Sequence, residues 1–313
     1  MPPSPAPDAP LDVLLVGLGT IARTHAAVIT RLDRLRLVGA VDPAPGFAVE
    51  APAHRTLHEA LDAGTDPDVV VLATPTDTHV GLVDEVLRTC DATVLCEKPL
   101  AATVDEIDGL ELRHGAVVLT ERVRVAHHFA FSPEVEWARR TAEQHPEWGP
   151  PTRVLCVSHD PYGHIEDDRA ASLVSSWVDS GPNQLSVAAA FAGGWEVVSH
   201  VAETGRSVSV LDHAGGRTTL VTNWLAGDSS KQSEIEYGAG GVRIRIDHTS
   251  MTALVLRDGE VAEQLTYAGA DSRKVEHYLG VYRALLDDPD DHRLGVPLAR
   301  TIASLLEGRA PIG

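Results

Sequence analysis

One lysine is a candidate for chemistry because this chain uses lysine so rarely. Lys98 lies in the segment Cys-Glu-Lys-Pro-Leu at residues 96–100, and only Lys231 and Lys274 accompany it among 26 basic residues. A lysine amine is a compact donor whose protonation responds to its surroundings, whereas a guanidinium stays charged. The sequence therefore predicts that Lys98 is used for the hydrogen bond or the proton that its amine supplies.

A glycine-rich turn near the start of the chain has the form of a dinucleotide-binding fingerprint. Apolar residues 13–16 predict a buried strand, Gly17 and Gly19 follow at once, and a helical apolar pattern begins near Ile21. The first glycine permits the tight turn, and the second lets the backbone approach a pyrophosphate at the helix N-terminus. The preceding strand and the following helix are the context that such a fingerprint requires.

A carboxylate follows the next predicted strand. Residues 35–41 form that strand, and Asp42 follows it roughly 20 residues past the glycines, where a carboxylate receives the ribose hydroxyls of a dinucleotide. The alternative is that Asp42 and Pro43 only begin a turn. A carboxylate in this place repels a 2′-phosphate, so NAD is favoured over NADP. Arg23 offers a positive charge to such a phosphate, so NADP stays the less favoured alternative.

Four motifs occur in order within about the first 125 residues. They are VGLGTIA from residue 16, VD at 41–42, ATPTDTH from residue 73 and CEKPL from residue 96. Together they resemble the Gfo/Idh/MocA oxidoreductases, the family of glucose–fructose oxidoreductase and inositol dehydrogenase. The resemblance implies an NAD site made of Gly17, Gly19, Thr20, Ile21, Asp42, Thr74, Pro75, His79, Glu97 and Lys98.

The resemblance and the hydropathy pattern together predict two domains. After a disordered tail at 1–10, we expect an α/β Rossmann domain with a parallel sheet at 11–125. An α+β domain with a large, mostly antiparallel sheet is expected at 126–313, where it would bind substrate and mediate oligomerisation. Residues 116–120 are predicted to form the last strand of the first domain.

Alternating apolar and polar residues predict the sheet of the second domain, because this alternation is typical of strands with one face in water. The predicted strands are residues 152–159, 217–225, 232–237, 241–248, 251–257 and 260–267. The predicted helices are residues 135–143, 185–191, 273–286 and 298–305.

The resemblance also implies a catalytic segment, and here the sequence departs from the family pattern. Family members carry D-x-G-x-H-x-x-D at the start of a helix, and its histidine serves as the acid/base. Asp179 and Gly181 match this pattern. Asn183 replaces the histidine, and Ser186 replaces the second aspartate. An amide does not exchange a proton near neutral pH, so the proton must travel through Lys98, through another side chain, or not at all.

Several histidines are alternatives for the missing acid/base, although each taken singly is more often a packing or surface residue. These candidates are His127, His128, His159 and His164. The predicted substrate contacts are His128, Tyr162, Trp177 and Asn183.

The leading hypothesis is an NAD-dependent oxidoreductase acting on a CH–OH group of a sugar, cyclitol or related polyhydroxylated molecule. In this hypothesis Lys98 polarises the reacting oxygen, Asp179 orients Lys98 or the substrate, and Asn183 binds a neighbouring hydroxyl. One alternative is a non-catalytic NAD-binding sensor or regulator, which Asn183 and Ser186 favour. Another is a lyase or hydrolase in which NAD oxidises and later re-reduces the same substrate.

Bulk properties restrict partners and location. A formal charge of −19 and a pI near 5.1 argue against nucleic acid and anionic membranes as partners. The proline-rich start lacks the basic end and apolar core of a signal peptide, so we expect a cytoplasmic protein. Cys90, Cys96 and Cys156 are scattered, which favours reduced thiols and predicts no metal site. A broad sheet with a free face predicts a homodimer or homotetramer.

Overall fold

The chain divides into two compact units, each with its own sheet. The structure, a computed structural model, describes residues 9–44, 47–164, 175–238, 240–269 and 271–308. Unit 1 comprises Met1–Ala126 and Val281–Ala303, and unit 2 comprises His127–Gly280 and Ser304–Gly313. Residues 281–303, which the sequence places in the second domain, therefore pack within unit 1. The tail predicted at 1–10 lies mostly outside the described residues.

Unit 1 is built on a parallel sheet, as predicted, and this sheet has six strands. Val69–Leu72 is buried along its whole length, and such continuous apolar runs are typical of strands covered on both faces. The spatial order is β3-β2-β1-β4-β5-β6. The strands are β1 (Leu11–Val16), β2 (Leu35–Val41), β3 (Ala53–His54), β4 (Val69–Leu72), β5 (Thr93–Glu97) and β6 (Val123–Ala126). The helices between them are α1 (Ala22–Arg31), α2 (Leu57–Asp62), α3 (Thr76–Thr89), α4 (Val104–His114) and α5 (Ala116–Arg122).

The strand predicted at residues 116–120 is wrong, because this segment is helix α5. Gly115 adopts a φ of 87°, which ends α4 and redirects the chain into a new helix. Within α5, Leu119 is buried whereas Val117 is 67% exposed. The apolar run therefore has one buried side and one exposed side, as a helix at the surface of the unit does. The last strand, β6, begins at Val123 and is buried throughout.

Unit 2 contains a large, mostly antiparallel sheet, as predicted; it has eight strands and includes one parallel pair. The strand order in this sheet is β14-β13-β12-β11-β7-β10-β9-β8. Among the described strand pairs of this sheet, only the β7–β10 pair is parallel. Val242, Ile244 and Ile246 are buried on one face of β12. The strands are β7 (Pro151–His159), β8 (Glu196–Glu203), β9 (Arg206–His213), β10 (Gly216–Asn223), β11 (Ser230–Tyr237), β12 (Val242–Asp247), β13 (Thr252–Arg257) and β14 (Glu260–Thr266).

The remaining helices include one that begins earlier than the sequence predicts. These helices are α6 (Pro133–Gln144), α7 (Ser176–Ala189), α8 (Arg273–Asp287) and α9 (Val296–Leu306). The hydroxyl of Ser175 accepts from the backbone N–H of Val178 at 3.2 Å, and this cap starts α7 nine residues before residue 185. Among the described helices, none combines the length and apolar composition needed to cross a membrane.

We expect Gly280→Ala to destabilise the protein, because a Cβ on this α8 glycine would collide with the backbone carbonyl oxygen of Phe131. Overpacking of this kind costs about 1–3 kcal/mol, which lowers the thermal midpoint by roughly 2–10 °C. Gly109→Ala on α4 is the control, since its Cβ would meet only the flexible end of Arg113 at 3.4 Å. Circular dichroism melts would contradict the assigned packing if both variants kept the wild-type midpoint.

Candidate functional site

The carboxyl ends of three neighbouring strands in unit 1 are aligned with one another. Val16 of β1 pairs with Leu72 of β4, and Leu72 pairs with Cys96 of β5. The glycine turn, the loop at Thr74 and the residue Lys98 therefore follow the sheet at the same edge. Open parallel sheets bind nucleotides and substrates at this carboxyl edge.

The glycine turn has the open backbone that a dinucleotide requires. Gly17 has a φ of 91°, and a Cβ there would lie 2.6 Å from the carbonyl oxygen of Ala73. A Cβ at Gly19 would meet no atom within 4 Å, and both Gly19 and Thr20 are exposed. Ile21 precedes α1, whose first turn has neither a side-chain cap nor an acidic residue. The first N–H groups of α1 are thus suited to a phosphate, and the residues fit NAD.

Asp42 lies beside the glycine turn and contacts its backbone. Its Oδ2 accepts from the backbone N–H of Leu18 at 2.7 Å, and its Oδ1 accepts from the N–H of Ala44 at 2.7 Å. Each carboxylate oxygen accepts more than one hydrogen bond, so both retain acceptor capacity for ribose hydroxyls. Asp42 therefore holds the loop through these hydrogen bonds, and we predict that it also binds the ribose of the cofactor. Arg23 stacks on Phe47, with its guanidinium carbon 4.7 Å from the ring centre.

His79 holds together the two loops that follow β4 and β5. Its Nε2 lies 2.9 Å from the carbonyl oxygen of Thr74, and its Nδ1 lies 2.8 Å from the carbonyl oxygen of Pro99. The ring is buried on α3, next to the exposed Pro75 that precedes the helix. Because both nitrogens face protein carbonyls, the geometry makes His79 a residue that positions the loops.

Lys98 follows a carboxylate that is held by a buried network. Glu97 Oε1 accepts from His25 Nε2 at 3.0 Å, and His25 Nδ1 accepts from the hydroxyl of Tyr282 at 2.9 Å. The other oxygen, Glu97 Oε2, accepts from the backbone N–H of Lys98 at 3.2 Å. Burial and the Glu97 charge hold the pKa of Tyr282 well above its usual value. Tyr282 therefore remains a hydroxyl donor, and this network fixes the backbone from which the half-buried Lys98 projects.

In unit 2, helix α7 carries the predicted catalytic segment. Asp179 and Asn183 are one turn apart on the same helix face. The carboxylate of Asp179 accepts from the hydroxyl of Ser180 at 3.2 Å. Asn183 Oδ1 is buried and has no hydrogen-bond partner among the described residues, and the same holds for Gln184 Oε1. Each of these two buried acceptors can take a hydrogen bond from a bound water or from a donor-bearing ligand.

A cavity in unit 2 connects these amides with several polar side chains. Its enclosed space is about 10 Å³, room for one water molecule, and Lys231 is one of its lining residues. The Lys231 amine donates to both oxygens of Asp160, at 2.5 and 2.7 Å, so its charge is compensated. The polar side chains in the lining are Ser158, Asn183, Gln184, Lys231, Gln232, Ser233 and His248.

The other predicted substrate residues of unit 2 do not line this cavity. Trp177 is buried and donates to the carbonyl oxygen of Leu305 at 3.3 Å. Tyr162 packs edge-on against Trp224, with ring centres 5.5 Å apart. His128 stacks on Tyr278 at 4.8 Å.

The histidine candidates for the acid/base are likewise placed apart from the cavity lining. His127 is buried, whereas His159 is half-buried at the end of β7. The side chain of His164 lies outside the described residues.

The sequence analysis missed a buried acidic residue and its histidines. Glu134 of α6 is fully buried, and its Oε1 accepts from His248 Nδ1 at 3.0 Å. Burial alone raises the pKa of Glu134, but the hydrogen bond from His248 and the nearby His277 lower it below its usual value. His248 Nε2 lies 2.9 Å from the Ser233 hydroxyl. Among the described residues, no group of three or more His, Cys, Asp or Glu side chains that could hold a metal ion is found.

Part of the chain matches a known protein family. Residues 11–117 match the family model GFO_IDH_MocA, described as an oxidoreductase family with an NAD-binding Rossmann fold. An inositol 2-dehydrogenase of Rhizobium meliloti is 32% identical over 156 residues, which are 47% of this chain and 44% of that protein. The match therefore spans under half the length of this curated relative.

Solved structures share the fold of the whole chain at low sequence identity. A myo-inositol dehydrogenase from Corynebacterium glutamicum is 20% identical with a TM-score of 0.73, covering 96% of this chain and 98% of that one. GenD2 from gentamicin A biosynthesis, in complex with NAD, is 20% identical with a TM-score of 0.75, covering 99% of this chain and 95% of that one. At these identities the likeness shows the fold alone.

His277 is expected to make unit 2 sensitive to acid. Burial lowers its pKa from 6.5 to about 3, so the neutral ring is favoured in the folded state. The unfolded chain then binds a proton that the folded chain does not, and stability present above pH 6.5 is lost as the pH falls toward 3. The expected slope from this group is about 1.4 kcal/mol per pH unit.

Urea unfolding at several pH values would measure this slope. Tryptophan fluorescence reports on unit 2, because all five tryptophans lie between residues 137 and 224. His277→Phe should flatten the acid dependence, whereas the exposed His58→Gln should leave it unchanged. A His277→Phe variant with the wild-type slope would show that this ring does not resist protonation.

Proposed function

Because residues 11–117 match the model of the Gfo/Idh/MocA oxidoreductase family, we propose that this protein is an NAD-dependent oxidoreductase. It transfers a hydride to or from a hydroxyl-bearing carbon of a sugar, cyclitol or related polyhydroxylated molecule. The observation that carries the proposal is the shared strand edge in unit 1, where the glycine turn, the Thr74 loop and Lys98 meet. That edge combines a dinucleotide cradle with an amine donor.

The choice of NAD rests on Asp42. Its carboxylate is held by two backbone N–H groups beside the glycine turn, which keeps its remaining acceptor positions oriented. These positions suit a ribose diol, whereas the negative charge disfavours a 2′-phosphate. The nearest basic side chain that the sequence offered for a phosphate, Arg23, is stacked on Phe47.

The class of substrate is supported by the polar side chains that line the small cavity in unit 2. Its amide oxygens on Asn183 and Gln184 have no partner among the described residues, and hydroxyl groups are suitable donors to them. Lys231 is paired with Asp160, so the lining offers no unpaired cation to a carboxylate or phosphate. A neutral polyol fits this chemistry. The similarity of about half of the chain to an inositol 2-dehydrogenase agrees with it.

In this proposal each residue has a defined role. The bound nicotinamide supplies the hydride acceptor or donor. Lys98 donates a hydrogen bond to the reacting oxygen and stabilises the negative charge that develops there. Asp179 orients the substrate or Lys98, and Asn183 binds a hydroxyl next to the reacting carbon.

The assembly and the cellular location remain predictions from the sequence. We propose a homodimer or homotetramer, and the exposed Val198 and Val201 on the edge strand β8 support contact with another copy. We also propose a cytoplasmic location.

The function is tested with purified protein, NAD and a panel of cyclitols and sugars. Appearance of reduced nicotinamide, followed by its near-ultraviolet absorbance, supports the oxidoreductase. The alternative, a sensor or regulator, is favoured by the amide at Asn183, which cannot exchange a proton. Tight NAD binding with no turnover on any polyol would replace our proposal with that alternative.

We expect Asp42→Ala to weaken NAD binding by roughly 1–3 kcal/mol, the size of a lost charge-assisted hydrogen bond. The variant should also narrow the preference for NAD over NADP, because the repulsive charge is gone. Calorimetric titrations of both cofactors measure this effect. Asp42→Asn is the conservative companion, and the exposed Asp33→Ala is the control. Tighter binding of NADP than of NAD by the wild-type protein would overturn the role of Asp42.

Lys98→Met should abolish most turnover while preserving the fold and the affinity for NAD. Methionine keeps the length of the stem but removes the donor, so the loss falls on the transition state and is expected to reach about 100-fold or more in kcat. Lys274→Met, on an exposed position of α8, is the matched control. Near-normal kcat in the Lys98 variant would show that the amine does not act on the reacting oxygen.

A further inference from the structure

A buried histidine in unit 1 connects helix α1 with the residue before Lys98. His25 lies on α1, which follows the glycine turn, and its side chain is fully buried. Its Nε2 lies 3.0 Å from Oε1 of Glu97, the last residue of β5. The other oxygen of Glu97 accepts from the backbone N–H of Lys98 at 3.2 Å. One carboxylate therefore contacts both the helix of the dinucleotide fingerprint and the backbone of the candidate catalytic lysine.

His25 lies at the end of the first turn of α1, close to the groups suited to a pyrophosphate. Its backbone N–H donates to the carbonyl oxygen of Ile21, the residue that precedes the helix, at 3.3 Å. The N–H groups of Ala22 and Arg23 come before this bond, and the first N–H groups of a helix have no acceptor within it. One helical turn rises only about 5.4 Å. A shift at the phosphate-binding end of α1 therefore also moves the imidazole of His25.

Tyr282 sets the orientation of His25. Its hydroxyl lies 2.9 Å from His25 Nδ1, and the two rings meet edge-on with their centres 5.8 Å apart. Burial and the Glu97 charge keep the pKa of Tyr282 well above its usual value, so the phenol keeps its hydrogen and donates it to Nδ1. In the neutral imidazole the ring hydrogen is then on Nε2, where it is donated to Glu97.

The peptide on the other side of Lys98 is held by a different helix. The carbonyl oxygen of Pro99 lies 2.8 Å from Nδ1 of His79 on α3. Lys98 is thus restrained from α3 on one side and from α1, through Glu97, on the other. The contact with α1 is the one that leads to the glycine turn.

We propose that Tyr282, His25 and Glu97 are positioning residues that couple dinucleotide binding at α1 to the backbone of Lys98. This inference rests on the proposed function, in which NAD occupies the glycine turn and Lys98 acts on the reacting oxygen. A pyrophosphate at the first N–H groups of α1 restrains the first turn. His25 passes this restraint to Glu97, and Glu97 holds the N–H of Lys98. The amine is thereby aligned when the cofactor is bound, and by linkage an aligned Lys98 favours the bound cofactor.

The backbone N–H of Lys98 can be observed by itself, because the chain contains three lysines. In protein labelled with nitrogen-15 lysine, its amide signal is assigned by its loss in Lys98→Arg. The amides of Lys231 and Lys274 serve as internal references. Saturating NAD should slow hydrogen exchange of the Lys98 amide about tenfold, within the range of about 5–150-fold that coupled sites show.

Two substitutions of His25 separate its contact with Glu97 from its packing. An asparagine amide lies at the position of Nδ1 and is too short to reach Glu97, whereas a glutamine amide extends to the position of Nε2 and donates to Glu97 Oε1. His25→Asn should therefore lose the NAD-induced slowing, and His25→Gln should retain most of it. Wild-type slowing in His25→Asn would show that NAD shields the amide directly and would overturn the coupling. Equal loss in both variants would also overturn it, because a role in packing alone does not distinguish the two amides.

Tyr282→Phe tests the other end of the chain by removing one hydroxyl. Without a donor at Nδ1, the His25 ring is no longer held with its hydrogen toward Glu97, so the NAD-induced slowing should fall. Tyr267→Phe is the matched control, since it removes a tyrosine hydroxyl that donates to Glu276 at 2.9 Å in unit 2. Circular dichroism melts check the folding of each variant. If His25→Asn does not fold, Tyr282→Phe decides, and full slowing in this variant would overturn the coupling.

Turnover separates this inference from the proposed function. With a polyol that is oxidised, His25→Asn should lower kcat about tenfold with little change in KM for the polyol, because the alignment of Lys98 is needed in the transition state. If no polyol is oxidised but His25→Asn removes the NAD-induced slowing, the coupling is supported and the oxidoreductase activity is contradicted. Turnover without any NAD-induced slowing would overturn the coupling and leave the proposed function intact.

Discussion

The parallel register of β1, β4 and β5 is the constraint on which the site in unit 1 depends. Parallel hydrogen bonding places Val16, Leu72 and Cys96 side by side, so the three segments that follow begin at one edge. Each segment would be an ordinary loop on its own. Together they offer a glycine cradle, a helix N-terminus and an amine, and His79 connects two of these loops through their carbonyl oxygens.

Unit 2 contains a buried charge, and the loss of stability that this burial causes must be compensated. A buried carboxylate is costly unless hydrogen bonds compensate it, and Glu134 obtains that compensation from His248. The same bond orients the imidazole toward Ser233 at the edge of a cavity. The partner that makes the buried carboxylate tolerable therefore also contacts a hydroxyl that lines the cavity.

Elements with a regular alternation of apolar and polar residues were predictable from the sequence. Elements whose conformation depends on neighbouring residues or on burial in the folded protein were not. The alternation around Ile244 predicted β12. The strand predicted at residues 116–120 was wrong because a short apolar run is compatible with both a strand and a buried helix face. The positive φ of Gly115 ends the preceding helix and starts a new one here. Strand β8 was missed because most of its residues are exposed, so it has no alternating apolar signal.

The sequence by itself determined the family resemblance, the two kinds of sheet and the candidate cofactor residues, because these depend on short motifs attached to strand ends. The predicted role of a glycine such as Gly17 or a lysine such as Lys98 can be recognised from a few neighbouring residues in the sequence. Only the tertiary structure decided which histidine meets a carboxylate. Glu134 and His248 lie 114 positions apart, and no local pattern encodes their contact. It arises because α6 packs against β12 and β13 and brings a buried acid to the end of a strand.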